Sequence, residues 1–440
     1  MFRHPLFSEE SMTTFTLDHH LRVTLIPSTK YKTVGIAVKF IADFDPQRTN
    51  ERLLVGRILC SKSKKYPSKR LLQQKLDDMY GTQVTSHVSR IGFQSVSTIQ
   101  AWVISSRYMN DVFNLPLQAM DLLEELLFYP YVDSEGYFDS RVCDEELRLH
   151  KEEIEAIYHD KFEYSFQQFK KVMFHGELFQ SSAKGDLETL DKVSKETLKE
   201  VYNQMMTSDE KELFIVGDFD EEMFHRHLLQ RFRFTEVLKD RQWIDTEGPQ
   251  TITYRDVEEF NDLSQTRISI GYRTPIQSDH PLRHAMSLFS VLMGESDQSI
   301  LFQEIREKSH LCYYISSIYS ENKGAFFVFA GVDDLNRLQA KNQMLTLISP
   351  SAIDAISEDQ IDLAKKHLIH RIQKQSDNMH ALMNLHFSNM KLHQSPYNPL
   401  SQIAAISAIT KDELREVAKA LRVDTAHTLR NGDAHENHTL

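Results

Sequence analysis

Two stretches of this sequence match each other across half its length. VSKETLKEV (Val193–Val201) aligns with ITKDELREV (Ile409–Val417) at an offset of 216 residues, and Gly217-Asp218 aligns with Gly432-Asp433 at an offset of 215. A hydrophobic residue, a hydroxyl, Lys, an acid, Leu, a base, Glu and Val recur in order. Capped amphipathic helices share a starting composition by chance. The matched spacing to a following Gly-Asp favours duplication. A repeat this long specifies two related domains rather than a solenoid, whose units run to roughly 20–50 residues. The length of 440 residues has room for both. The expected bounds are 1–237 and 251–433, joined by the polar segment 238–250 with its Gly248-Pro249, and ending in a frayed tail, 434–440.

Within each half the pattern is mixed α and β. TTFTL (Thr13–Leu17), RVTLIP (Arg22–Pro27) and TVGIAVKFI (Thr33–Ile41) are rich in β-branched residues and separated by polar turns. A helix is predicted from Ser68, after Pro67, to Gly81. Val84, Ser86 and Val88 alternate as in a half-buried strand, and Phe93–Ile104 follows the turn at Gly92. Leu115, Ala119, Leu122, Leu123 and Leu126 share one helical face. One long charged helix is expected over Cys143–Lys161, and a strand over Glu212–Phe219. In the second half Thr266–Thr274 mirrors the third strand of the first. Ser357 with Gln360 makes a capping box ahead of Ile361, Ala364 and Leu368. The fold class read from this is α+β, two homologous α/β-sandwich domains in tandem.

Composition removes several function classes. The net charge of −12 opposes a phosphate-backbone partner, which needs a basic face, and it repels anionic lipid. No nucleic-acid or membrane partner is therefore expected. The longest apolar runs, such as Ala325–Val332, are too short to span a bilayer and read as buried strands. Cys60, Cys143 and Cys312 are odd in number and far apart, which argues against a disulfide framework or a cysteine zinc site. Reduced thiols and a start, MFRHPLFSEES, without an apolar segment lead to a cytoplasmic expectation.

Enzyme signatures are missing in the same way. There is no G-x-S-x-G elbow, no P-loop and no Rossmann glycine pattern. Neither HExxH nor HxxEH occurs among the 20 histidines. His280 and His284 are four apart, but Pro281 intervenes and no carboxylate lies between them. His367 and His370 sit one turn apart with no third ligand in view. His225 and His227 face different ways on a helix. Each pair reads as surface histidine.

One stretch says more. LFQEIREKSHLCYYISSIYSENKGAFFVFAGV (Leu301–Val332) is helix, break, strand, turn, strand. It resembles the second domain of the pitrilysin/insulinase family of zinc peptidases, where a Leu/Phe-rich helix ends in an Arg-Glu-Lys run before a Tyr-bearing strand. SKKYPSKRLLQQKLDDMYG (Ser63–Gly81) resembles the segment after that family's zinc motif. VSKETLKEVYNQMM with ELFIVGDF resembles the close of its first domain. The resemblance covers most of the chain and includes the duplication. Within the family, the bacterial subgroup named for association with 5-aminopentanol modification of elongation factor P is similar.

The resemblance implies a half clam-shell like that of the processing peptidases. It also implies where an inverted H-x-x-E-H motif would stand: in RLLVGRILCSKS, with Leu53, Gly56 and Arg57 at its three key positions. None of them can bind zinc, and Gly56 cannot serve as a base. The family's third ligand, a Glu on the long helix of the first domain, has its nearest match in Glu153, at a longer spacing than the family shows. Active members carry an Arg and, seven residues on, a Tyr that contact substrate; Arg306 and Tyr313 stand at that spacing. Taken alone, Arg306 is a cation at a helix C-terminus and Tyr313 a strand residue. In the family's setting a guanidinium donates to peptide carbonyls and a phenol to an oxyanion. The implied function is a non-metal subunit of a heterodimeric zinc peptidase, inactive alone. No cofactor is expected in this chain, zinc in a zinc-motif paralogue as partner, and unfolded peptide as substrate. The alternative is an inert structural or peptide-binding scaffold.

Overall fold

The computed structural model describes residues 12–17, 20–109, 114–232, 234, 241–249, 251–261 and 264–431. Gly432-Asp433, the tail 434–440, the first eleven residues and positions 238–240 and 250 of the joint lie outside the described residues. The chain forms two compact units. One comprises Met1–Ala156, Ser182–Gln242 and Asn378–Phe387; the other comprises Ile157–Ser181, Trp243–Asp377 and Ser388–Leu440.

The first unit is built on a six-stranded sheet. Its strands are β1 (Thr13–Leu17), β2 (Leu21–Pro27), β3 (Thr33–Asp43), β4 (Gln83–Ile91), β5 (Gln94–Ile104) and β6 (Glu210–Gly217), ordered β1-β2-β6-β3-β5-β4. Only β2 and β6 pair in parallel. The second unit holds β7 (Arg255–Asn261), β8 (Thr266–Arg273), β9 (Tyr314–Ser320), β10 (Ala325–Val332) and β11 (Arg422–Asn431), ordered β7-β11-β8-β10-β9. Again one pair, β7 and β11, is parallel. The order β2-β6-β3-β5-β4 thus recurs strand for strand as β7-β11-β8-β10-β9. The repeated motif is the helix before the parallel strand in each unit, Lys195–Thr207 and Lys411–Ala420. Both open with a capping box, Ser194 with Thr197 and Thr410 with Glu413.

Each sheet is covered on both faces. On one face of the first sheet Val34, Ile36, Val38 and Phe40 are buried with Ala119, Leu122, Leu123 and Leu126 of the helix Leu115–Phe128. On the other face, Phe387 meets Phe214 edge-on at 5.8 Å, and buried Lys39 donates to Asn384 Oδ1 at 3.0 Å. In the second unit Phe326, Val328 and Ala330 join one core, while Phe327 and Phe329 face Phe169, Met173 and Phe174. That is why β10 reads as an unbroken apolar run: both of its faces are dry. The helix carrying Phe169 approaches β8 so closely that a Cβ on Gly271 would meet Met173 Sδ at 2.2 Å.

Two expectations differ from this. The long helix predicted over Cys143–Lys161 is two helices, Ser140–Ala156 and Lys161–Met173. Asp160 starts the second by accepting from the amides of Phe162 and Glu163 at 3.1 Å. The break lets Phe162, Phe166 and Phe169 turn onto the second sheet. The second difference concerns contiguity: the bounds 1–237 and 251–433 are each one stretch, whereas residues 157–181 pack in the second unit and 378–387 in the first. A buried ionic cluster fastens the former segment. Lys323 reaches Glu177 at 2.6 Å and Asp245 at 2.9 Å, while Arg273 joins Glu177 to Asp424 at 2.6 Å each.

Candidate functional site

In the first unit the helix Thr49–Leu59 carries Leu53, Gly56 and Arg57. Leu53 is buried in the core. Gly56 lies against β4, where a Cβ would meet Ser86 Cβ at 3.0 Å and its Oγ at 3.1 Å. Arg57 turns to the neighbouring helix, Ser140–Ala156, and its Nη2 donates to Glu153 Oε2 at 2.6 Å. Burial pushes the Glu153 carboxyl up, but the hydrogen bond and charge of Arg57 outweigh it and hold it below the usual carboxylate range.

Behind this pair stands a polar chain that the sequence did not single out. Asn50 Nδ2 donates to Asp186 O at 2.9 Å and to Thr189 Oγ1 at 2.8 Å. Its Oδ1 is therefore left to accept from His150 Nε2, at 2.9 Å. That fixes the proton of a neutral imidazole on Nε2 and turns the Nδ1 lone pair toward Glu153, 3.5 Å away. Burial keeps His150 below its ordinary pKa, against the pull of Glu153. Gly185 is needed here, since a Cβ would fall 1.9 Å from Asn50 Oδ1. The visible signal was His150 three residues before Glu153, one helical turn apart.

These residues do not suit a zinc ion. Leucine and glycine offer no donor, and a permanent guanidinium already occupies the carboxylate. Among the described residues no group of three or more His, Cys, Asp or Glu converges as metal ligands. Three of the other histidines have partners of their own. His227 Nε2 meets Asp121 at 2.7 Å, His225 packs on Phe15, and His280 Nδ1 accepts from the Leu282 amide at 3.1 Å. His284 lies on the helix Arg283–Gly294, and His367 and His370 on Glu358–Ser376.

In the second unit Arg306 sits in a π-helical turn, Phe302–Lys308. Such wide turns are uncommon in a helix and re-aim side chains. The guanidinium lies over the Phe302 ring at 4.7 Å and 3.9 Å from Glu307, with much of the side chain exposed. The chain then reverses at His310, which adopts φ 53°, a left-handed conformation unusual outside glycine. Tyr313 follows just before β9. Its amide donates to Gly331 O at 2.8 Å, and the residue is 49% exposed. Tyr314 points the other way, its hydroxyl accepting from Arg267 at 2.6 Å.

The Tyr313 hydroxyl donates to Asp333 Oδ1 at 2.7 Å. That bond raises the phenol's pKa. A phenol has a single proton, so while Asp333 accepts it Tyr313 cannot donate to anything else.

Known proteins resemble this chain over most of its length. Residues 192–368 match the family described as Peptidase M16 inactive domain. A Bacillus subtilis (strain 168) protein called probable inactive metalloprotease YmfF is 25% identical over 414 residues, which are 93% of this chain and 96% of that one. A conserved protein from Enterococcus faecalis V583 has a solved structure that superposes with a TM-score of 0.88 at 25% identity, covering 96% of this chain and 99% of the other. A peptidase M16 inactive domain from Pseudomonas fluorescens superposes at 0.76 with 14% identity over 97% and 99%. At that identity the likeness is one of fold.

Proposed function

Because this chain is a metalloprotease-like member of the pitrilysin (M16) family that lacks the family's zinc motif, we propose that it is the non-metal subunit of a two-chain peptidase. The observation that carries the reading is an asymmetry. Leu53, Gly56 and Arg57, which the resemblance aligns with the zinc motif, are taken up by core packing and by the Arg57–Glu153 ion pair. Arg306, on the π-helical turn, is partly exposed and Tyr313, just before β9, is exposed, and neither has a core-packing task to account for it.

In this reading a zinc-motif paralogue brings the metal and its activated water. This chain brings Arg306 to hold a peptide carbonyl and Tyr313 to donate to the oxyanion. Unfolded peptide joins an open sheet edge as an added strand. β4 is the terminal strand of its sheet and is also the strand that touches Gly56. The complex works in the cytoplasm. Among the described residues no helix is long and apolar enough to cross a membrane.

Co-expression with a zinc-motif paralogue tests it. Zinc is expected in the partner alone, and Arg306→Ala and Tyr313→Phe should each depress peptide cleavage by the complex. Unchanged cleavage in both variants, or stoichiometric zinc in this chain by itself, overturns the proposal. The second reading, an inert scaffold, draws support from the Tyr313–Asp333 bond, which occupies the proton that catalysis in trans requires.

A further inference from the structure

The second unit contains a pocket that neither proposed role uses. It is about 410 Å³ in volume, and its apolar walls come from Leu345, Ile348, Pro350, Ala418, Leu421 and Val423. That size lies within the range of small-molecule sites, about 300–1,000 Å³. It lies between the helix Arg337–Leu347, the start of Pro350–Asp354, the end of Lys411–Ala420 and the first residues of β11.

Most polar groups around it have partners. Tyr254 donates to Asp256 at 3.4 Å, Ser349 meets Ser351 at 3.1 Å, and Lys419 pairs with Glu416 at 2.8 Å. Two differ, one with no hydrogen-bond partner and one with no counter-ion among the described residues. Tyr272, 4% exposed, lines the pocket, and its hydroxyl has no hydrogen-bond partner among the described residues. A buried hydroxyl left unpaired forfeits its hydration without a bond in return. Native structures rarely keep one without a reason. At the rim, the exposed Arg422 donates to the carbonyls of Lys419 and Leu421, and among the described residues no carboxylate pairs with it.

We propose that this pocket binds a small amphipathic monocarboxylate. The carboxylate sits on the Arg422 guanidinium, an aromatic or branched body fills the apolar walls, and a polar group at the far end meets the Tyr272 hydroxyl. One end of the ligand thus supplies the counter-ion that Arg422 lacks among the described residues, and the other a partner for the buried Tyr272 hydroxyl. Two sources share this chemistry, a free carboxylic acid and the C-terminal residue of a peptide. The site is separate from Arg306 and Tyr313 in sequence and rests on different residues, so it stands whether or not the two-chain reading does.

Calorimetric titration of the full chain with 3-(4-hydroxyphenyl)propionate tests the proposal. Saturable binding is expected, weakened by about tenfold or more in the corresponding amide and in Arg422→Gln, because each removes a charge-assisted hydrogen bond. Arg422 is exposed, so that variant should fold normally. The 4-hydroxy acid should bind more tightly than 3-phenylpropionate, and Tyr272→Phe should abolish that difference. N-acetyl-alanyl-tyrosine separates the sources: equal binding allows either, and tighter binding of the dipeptide assigns the pocket to peptide C-termini. Absence of saturable binding by both acids, or affinity indifferent to the amide and to Arg422→Gln, overturns the proposal.

Discussion

Arg57 and Glu153, 96 residues apart in sequence, form an ion pair between two helices, Nη2 to Oε2 at 2.6 Å. The family resemblance assigns these same positions to a metal ligand and to the third-ligand carboxylate. A guanidinium and a carboxylate make a directional, charge-assisted bond, so the pair ties the two helices without an ion. Glu153 is more than half exposed, which keeps the stabilisation small. Its carboxyl is held low, so the contribution is complete above the ordinary carboxylate range and is lost as pH falls through the lowered folded value. Urea midpoints measured between pH 7 and pH 3 should show an acid-side decline that is shallower in Glu153→Gln. Identical curves for the two proteins would remove Arg57 as the cause of the lowered carboxyl.

Gly56 makes the absence of a base more than a missing carboxylate. With Ser86 Cβ 3.0 Å from an added Cβ, β4 has to give by a few tenths of an ångström before a longer side chain fits at this position. Gly56→Glu should therefore destabilise the first unit by about 1–3 kcal/mol, the usual range for overpacking. Ser86→Gly in the same chain should recover part of that loss. A double-mutant cycle by chemical denaturation reads it, and additive effects would mean that the strain lies elsewhere.

Tyr313 needs its proton back before it can assist an oxyanion. Asparagine at position 333 can still hydrogen-bond but removes the charge that raises the phenol's pKa. Asp333→Asn should bring the Tyr313 ionisation down toward the ordinary tyrosine value, seen by ultraviolet difference titration against Tyr313→Phe. In a complex with a zinc-motif partner the same variant should cleave peptide at least as fast as the wild type. A loss of activity would mark Asp333 as a positioning residue rather than a restraint.

Much of this was legible in the sequence for local reasons. β1, β3 and β8 announce themselves through their β-branched residues, and the helix Glu358–Ser376 through the Ser357–Gln360 capping box, which closes as drawn. The break after Ala156 was not, because Tyr158-His159-Asp160 holds neither Gly nor Pro and the charge pattern runs on through it. Asp160 was its only marker, together with Phe162, Phe166 and Phe169 at helical spacing. The assignment of 157–181 and 378–387 to their units has no local signal at all. Both segments are amphipathic helices, and which sheet they cover is settled by tertiary complementarity, as between Gly271 and Met173. The Arg57–Glu153 contact falls in the same class: both residues were named, but only packing of the two helices joins them.

Lys323 and Asp245 give the sharpest energetic test, since each side chain is only 1% exposed. Removing one member of a buried pair strands the other charge, at a cost of about 3–5 kcal/mol. Replacing both partners avoids that penalty. Glu177 also meets Lys323, at 2.6 Å, and is itself held by Arg273, while Asp245 keeps the Glu247 amide at 3.1 Å but loses its Lys323 cation. Lys323→Met should lower the stability of the second unit by several kcal/mol, and Lys323→Met with Asp245→Asn should restore much of it. Because Glu177 belongs to the segment that reaches this unit from earlier in the chain, the single variant should also speed amide exchange in Lys161–Met173. Chemical denaturation with hydrogen-exchange mass spectrometry measures both. Full stability in the single variant would show that the cluster does not hold that segment to its sheet.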